Sequence, residues 1–325
     1  MLKVLQASGC ERGCLYCVER LGGQSPAVTL LPDELARTFV ELHRQRRAFG
    51  LFLSSAIRGG AVATMDRMLA TAELLRGRYG FRGYVHLKVI PGSSPDQVER
   101  AMALATRLSV NMEAPTAGHL ERIAPSKQFD GQIIAPMRQI ARAEANGRFA
   151  RAGQTTQLVV GAAGESDRQI AGAAEWAYRE LKLARVYYSS LQPVAGTALE
   201  DHAPVPFMRE HRLYQVDFLL RSYGFALDEI SFDDGGALPL ELDPKSAWAR
   251  CHPERFPVEV NTAPLSELLR VPGVGPKSAK RIAGVRRKEK LRSVEALGAL
   301  GVSWRIAAPF VLLDGKPAIR QLSLL

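Results

Sequence analysis

The sequence predicts an α/β protein: a partial (βα)6 TIM-like barrel followed by a small all-α domain at the C-terminus. Three observations predict it. Six β-like segments alternate with helical patterns over residues 1–200, those segments carry one polar face each, and the last fifth of the chain turns to short helices around glycine turns. A length of 325 residues accommodates a barrel-sized domain plus a small one. The divisions read from the sequence are 1–200 for the barrel, 201–255 for a helical extension and linker, and 256–325 for the tail domain.

Strands are predicted at 3–8, 51–55, 84–90, 108–114, 156–161 and 185–191, with helices at 32–47, 61–79, 95–106, 132–145 and 167–180. Pro32 suits the first turn of the first helix, and Leu35, Phe39 and Leu42 recur on one of its faces. Strand–helix alternation implies a parallel sheet with helical crossovers, either doubly wound or closed part-way into a barrel. The polar faces select the barrel. A parallel sheet covered on both sides is apolar on both sides, yet Ser109, Asn111 and Glu113 alternate with Val110 and Met112. His86 and Lys88 alternate with Val85, Leu87 and Val89, and Thr155 and Gln157 with Thr156, Leu158 and Val160. One polar face per strand fits a curved sheet whose concave side lines a ligand cavity. The competing reading is that single polar residues only cap strand ends near solvent.

Composition narrows the class. With 46% hydrophobic residues the chain can bury a core, and no run approaches the roughly 18 apolar residues of a membrane span. The opening Met1-Leu2-Lys3-Val4-Leu5-Gln6 has no basic n-region, and four cysteines are few, so a reducing cytoplasmic location is expected. The net charge of +10 is unevenly spread: residues 256–325 hold twelve Lys/Arg against five Asp/Glu. That concentration points to a polyanionic partner.

Three of the four cysteines sit in Cys10-Glu11-Arg12-Gly13-Cys14-Leu15-Tyr16-Cys17, spaced C-x3-C-x2-C. Three clustered thiols leave one unpaired in any disulfide scheme, and Cys251 lies far away. Zinc ordinarily takes a fourth ligand from a second C-x2-C or an H-x3-5-H, and neither follows. The thiolate count favours an iron–sulfur cluster with one iron left open over zinc or a structural thiol group. Cys251 is read as a bystander, since a lone cysteine cannot hold a second cluster. His119, His202 and His211 lack metal-ligand spacing; Tyr187 and Tyr188 suit base stacking, a radical role or simple packing equally.

The cysteine loop, with aromatic Tyr16 before its last cysteine, resembles the signature of the radical S-adenosylmethionine (SAM) enzymes. The resemblance implies a 4Fe-4S iron–sulfur cluster held by Cys10, Cys14 and Cys17. It implies S-adenosylmethionine chelated on the open iron and cleaved by one electron to methionine and a 5′-deoxyadenosyl radical, which abstracts hydrogen from the substrate. An external electron donor such as flavodoxin or ferredoxin follows. By the same resemblance the SAM contacts fall on Tyr16, Ser54, Ser55, Lys88, Asn111, Glu113, Gln157 and Gly161. Many family members end the second strand in Gly-Gly-Glu to hold the methionyl amino group; this chain has Leu51-Phe52-Leu53-Ser54-Ser55, so hydroxyls replace the carboxylate. Asn111 and Glu113 fall where members contact the ribose. Gln157 to Glu165 resembles the glycine-containing strand beside adenine, with Glu165 one position late. The Pro193 and Gly196-Thr197 ending of the sixth strand resembles the adenine-side loop.

In the tail, Asn261 or Thr262 is placed to cap a helix starting near Pro264, and Val271-Pro272-Gly273-Val274-Gly275-Pro276 separates it from a second helix at Lys277. A glycine turn at a helix N-terminus directs backbone N–H groups at a phosphate oxygen, and Lys277, Lys280 and Arg281 add charge. These residues closely resemble the helix-hairpin-helix DNA-binding motif. A degenerate copy follows, with Ser293 to Leu297 as a capped helix and Gly301-Val302-Ser303 in place of Gly-Val-Gly. The nucleic-acid contacts are expected at Gly273, Val274, Gly275, Lys277, Ser278, Lys280 and Arg281. As a whole the chain resembles a radical SAM subgroup described as DNA modification or repair proteins. Matching stretches are Leu51 to Ser55, Val85-His86-Leu87-Lys88, Arg209 to Gln215 and Pro257 to Asn261. The expected function is therefore hydrogen abstraction from a nucleic-acid substrate, probing flipped, damaged or single-stranded sites. Structured RNA as substrate, and a non-catalytic iron–sulfur DNA-binding protein, are the alternatives.

Overall fold

The computed structural model describes residues 1–20, 27–149 and 152–318. The tail residues 319–325, including the basic Arg320, lie outside the described residues. The chain divides into two units, Met1–Glu210 and His211–Leu325, so the long helix after the barrel straddles the division.

The first unit follows the alternation. Strands β1 (Leu2–Leu5), β2 (Gly50–Ser54), β3 (Tyr84–Lys88), β4 (Arg107–Ser109), β5 (Gln154–Val160) and β6 (Arg185–Ser190) form one sheet in the order of the sequence. All five ladders are parallel, from Leu5↔Ser54 through Lys88↔Ser109 to Val160↔Ser190. β1 and β6 end the order without pairing to each other, which leaves a curved half-barrel rather than a closed one. Helices α1 (Pro32–Arg44), α2 (Gly60–Arg76), α3 (Pro95–Leu104), α4 (Ala117–Ile123), α5 (Ala135–Ala145) and α6 (Asp167–Glu180) make the crossovers.

Local chemistry sets these boundaries. α3 and α6 open with capping boxes, Ser94 with Gln97 and Ser166 with Gln169, and α4 opens on the Thr116 hydroxyl. The outward strand residues Leu51, Leu53, Leu87, Leu108, Val110 and Leu158 are fully buried, as are Met65, Met68 and Leu69 of α2. Each such side chain contributes about 1.5–3 kcal/mol by leaving water.

Three features depart from the sequence reading. β4 stops at Ser109 instead of running to 114, because the Thr156 hydroxyl occupies the ladder: it donates to the Val110 carbonyl at 2.7 Å and accepts from Met112 N at 2.9 Å. Pairing resumes beyond this bulge, where Glu113 N donates to Gln157 O and Val159 N to Glu113 O. Glu113 has φ +65 there, a left-handed conformation that turns its side chain. The second departure is a π-helical turn at Phe129–Ile134 leading into α5. The third is α4 itself, a helix at Ala117–Ile123 where the sequence predicts no element.

The second unit begins in α7 (Phe207–Ser222) and continues through α8 (Pro244–Cys251), whose Asp243 cap accepts from Lys245 N and Ser246 N. Helices α9 (Leu265–Arg270), α10 (Pro276–Val285), α11 (Val294–Ala299) and α12 (Trp304–Ala307) surround a core of Leu268, Val271, Val274, Ile282, Leu297 and Val302. A small sheet joins them: β7 (Val258–Glu259) runs parallel to β8 (Val311–Leu313), and β9 (Lys316–Pro317) pairs antiparallel to β8. The sequence reading expected helices only. Its cap for α9 is also corrected. Pro264 takes the cap position with no side-chain bond, while Asn261 bridges Glu259 and the Leu291 backbone in both directions. Ser293 caps α11 as read. Among the described residues no helix is long and apolar enough to cross a membrane.

Candidate active site

The C-terminal strand ends and the loop after β1 enclose a cavity of about 480 Å³. Its wall brings together Cys10, Cys14, Tyr16, Cys17, Ser54, Ser55, Lys88, Asn111, Glu113 and Gln157, residues far apart in the sequence. Gly161 alone of the residues named for SAM is not on that wall. It has φ +81, and a Cβ there would come within 2.4 Å of Val205, so the glycine is required by packing instead. The Glu165 carboxylate accepts from Gly161 N and from Ala163 N at 2.9 Å, which fixes this loop locally.

The cysteine loop is held from two sides. Leu15 N donates to Ile123 O at 2.8 Å, and the Arg12 guanidinium donates to Ser126 O, tying the loop to the segment after α4. On the other side Glu11 N donates to Ile57 O, and the Glu11 carboxylate accepts from Gly59 N and Gly60 N. Those two amides hold the Glu11 carboxyl below its usual range. The thiols are free, with Cys14 buried and Cys10 and Cys17 half-buried. Arg12 N and Ile57 N both donate to the Cys10 sulfur, at 3.4 and 3.3 Å. Among the described residues no three His, Cys, Asp or Glu side chains are grouped to hold a single metal ion. A four-iron cluster takes cysteine thiolates as ligands, and three such donors on one cavity wall suit it.

Glu113 is the hub of the polar wall. Its carboxylate pairs with the Lys127 ammonium at 3.1 Å, both side chains being 8% exposed, and Asn111 Nδ2 approaches its other oxygen at 3.4 Å. Tyr16 lines the same wall. Burial drives the Glu113 carboxyl upward, but the charges of Lys127 and Lys88 outweigh it and hold the group ionised. Burial lowers the Lys88 pKa against the pull of Glu113. Burial likewise raises the Cys14 and Cys17 thiols, with Lys127 opposing it at both. Ser55 spends its proton on Ala56 O at 2.7 Å, which leaves its oxygen lone pairs as acceptors. Lys127 escaped the sequence reading. The available signal was its position, a cation in the loop region beyond a barrel strand's C-terminal end, where ligand-binding groups of this architecture collect.

In the second unit, Gly273 (φ +78) turns the chain between α9 and α10, and Gly275 caps α10 without a side chain. Val274 faces the core at 3% exposure and Ser278 is buried, its hydroxyl donating to Gly301 O at 2.7 Å. Lys277, Lys280 and Arg281 are exposed. The degenerate second turn docks on the first, Ser303 N donating to Gly273 O at 3.0 Å.

The comparisons with known proteins agree with both halves. A family model described as a helix-hairpin-helix motif matches residues 255–300. No curated protein matches the chain in sequence. Solved structures similar to it include HydG, a maturase of the FeFe-hydrogenase (12% identity, TM-score 0.52, covering 67% of this chain and 49% of that one). HydG from Carboxydothermus hydrogenoformans aligns at 12% identity and TM-score 0.53, covering 67% and 50%. Methylornithine synthase, PylB, aligns at 12% identity and TM-score 0.54, covering 67% and 60%. The structural neighbours are radical SAM enzymes. The chain carries the radical SAM barrel fold. It spans about half the length of the HydG chains it matches.

Proposed function

We propose that the chain is a radical SAM enzyme acting on nucleic acid, in repair or modification of DNA. The carrying observation is the single cavity into which three free thiols and the polar strand ends of a half-barrel open, in a chain that also bears a helix-hairpin-helix motif. Cys10, Cys14 and Cys17 would hold a 4Fe-4S cluster, with S-adenosylmethionine bound beside it. When bound, the pair supplies a carbon radical able to remove hydrogen from an unreactive position, given an electron from a donor such as flavodoxin or ferredoxin.

The chain's own groups bind and orient. Ser54 and Ser55 offer hydroxyl acceptors to an amino group, in place of the carboxylate common in the family. Asn111 and Glu113 offer an amide and a fixed carboxylate to ribose hydroxyls, with Lys127 holding Glu113 in place. Lys88 and Gln157 complete the polar wall. In the second unit Gly273, Val274 and Gly275 present the N-terminal turn of α10 to a phosphate, with Ser278 fixing that turn and Lys277, Lys280 and Arg281 adding attraction. Contacts of this kind read backbone and not sequence.

The deciding experiment is anaerobic. The protein is reconstituted with iron and sulfide, reduced with dithionite and given SAM, and 5′-deoxyadenosine is measured alone, with DNA and with structured RNA. Formation stimulated by DNA supports the proposal, and equal stimulation by RNA moves the substrate to RNA. A reduced cluster that yields no 5′-deoxyadenosine makes the chain a non-catalytic iron–sulfur DNA-binding protein.

A further inference from the structure

Helix α7 has two faces. Leu213, Val216 and Leu219 are buried, while His211, Phe218 and Ser222 recur at helical spacing on the opposite, exposed stripe. A single exposed apolar side chain needs no explanation, but Phe218, 45% exposed, has a particular place. It lies in the wall of a groove of about 400 Å³ that also contains the two glycine turns of the second unit, Gly273 to Gly275 and Gly301 with Ser303. Tyr223, the residue after α7, reaches the first turn directly: a Cβ on Gly275 would stand 3.5 Å from its hydroxyl. The surface of the helix-hairpin-helix motif at 255–300 is thus continued by a helix outside it.

Charge says what covers the groove. Arg281 Nη1 donates to Leu300 O at 3.3 Å, beside the lining residue Gly301, and Lys277 and Lys280 stand exposed on α10. Of the nearby acids, Asp243 accepts from Lys245 N and Ser246 N, and buried Asp217 pairs with Arg221 at 2.5 Å. The Arg221 guanidinium also backs the Phe218 ring, 5.1 Å from its centroid. A basic rim around an aromatic face suits a ligand that carries both phosphates and flat rings. We infer that Phe218 stacks on an unpaired base of the nucleic acid whose backbone the glycine turns hold; this rests on the nucleic-acid reading above. A base within a duplex is stacked on both neighbours and offers the ring no face, whereas an unpaired base does. Helix α7 therefore extends the interface and favours a duplex that adjoins a single-stranded stretch.

The test uses the full chain and two DNA probes, a blunt duplex and the same duplex with a short single-stranded overhang carrying 2-aminopurine. Affinity is read by anisotropy, and stacking by quenching of the 2-aminopurine fluorescence. The wild type is expected to bind the overhang probe more tightly and to quench it. F218A is expected to lose about fivefold or more in affinity for that probe, the lower end of one base–aromatic stack, and to lose the quenching, with blunt-duplex affinity unchanged. F218Y, which keeps the ring, is expected to behave as wild type. F218L keeps the bulk without the ring and is expected to fall with F218A; it decides the matter if F218A does not fold. Wild-type affinity and quenching in F218A or F218L overturn the inference while leaving the nucleic-acid reading intact, as does an equal loss on both probes. A wild-type protein that binds neither probe overturns both.

Discussion

Lys245 donates from its ammonium to the Val274 carbonyl at 2.6 Å. A buried cation of α8, outside residues 255–300, thereby braces the glycine turn between α9 and α10. Its Nζ lies 4.6 Å from the Tyr223 ring centroid, so the charge is compensated by one carbonyl, a ring face and the nearby Asp243. The hairpin is consequently held by a group whose protonation is easily lost.

Burial, with a smaller contribution from Arg270 and against Asp243, lowers the Lys245 pKa from 10.5 to about 7. Between those values the unfolded chain binds a proton that the folded protein has released, so stability rises with pH across that window. The unfolding free energy of the wild type should increase from pH 7 to 8.5 relative to K245M by up to about 1.4 kcal/mol per pH unit. Parallel denaturant titrations of the two proteins check it; equal pH slopes refute it.

Gly273→Ala should destabilise the second unit by about 2 kcal/mol or more, from a left-handed alanine alone costing about 1–2 kcal/mol plus a steric clash. The new Cβ would come within 2.7 Å of Ser303 O and 3.1 Å of Ala307 N, both backbone atoms that cannot swing aside. Gly284→Ala, in α10 with open space around it, should instead stabilise by up to about 1 kcal/mol. Thermal unfolding of both variants reads the contrast directly.

The barrel was legible because its signals are local. Alternation of period two along the strands and Pro32 at the first helix mark elements within a dozen residues. The strand ends and the cysteine loop together put seven of the eight residues named for SAM and all three cysteines on one wall. What escaped depends on distant partners. β7 and β8 are two and three residues long and meet across some fifty positions, so neither registers as a strand by itself. Asn261 is a good cap by type, but the Leu291 backbone competes for its amide and wins. Lys127 acquires its meaning only from Glu113, 14 positions away, with which it pairs at 3.1 Å.

Replacing Lys277, Lys280 and Arg281 together by Ala should weaken DNA binding and flatten its salt dependence. If each contacts one phosphate, the slope of log K against log salt falls by about 2.7 for duplex DNA. All three are exposed, so folding should be preserved. Fluorescence anisotropy at several salt concentrations measures both quantities, and an unchanged slope would remove α10 from the interface.

Cys14→Ala should give the reverse pattern. Cys14 is the buried member of the three thiols, so its loss removes a cluster ligand. 5′-Deoxyadenosine formation should vanish, while DNA affinity and its salt slope stay at the wild-type values, since the basic residues of α10 belong to the other unit. Cleavage of SAM at the wild-type rate would refute the assignment of the cysteine loop, and a parallel loss of DNA binding would show that the two units are coupled through the centre.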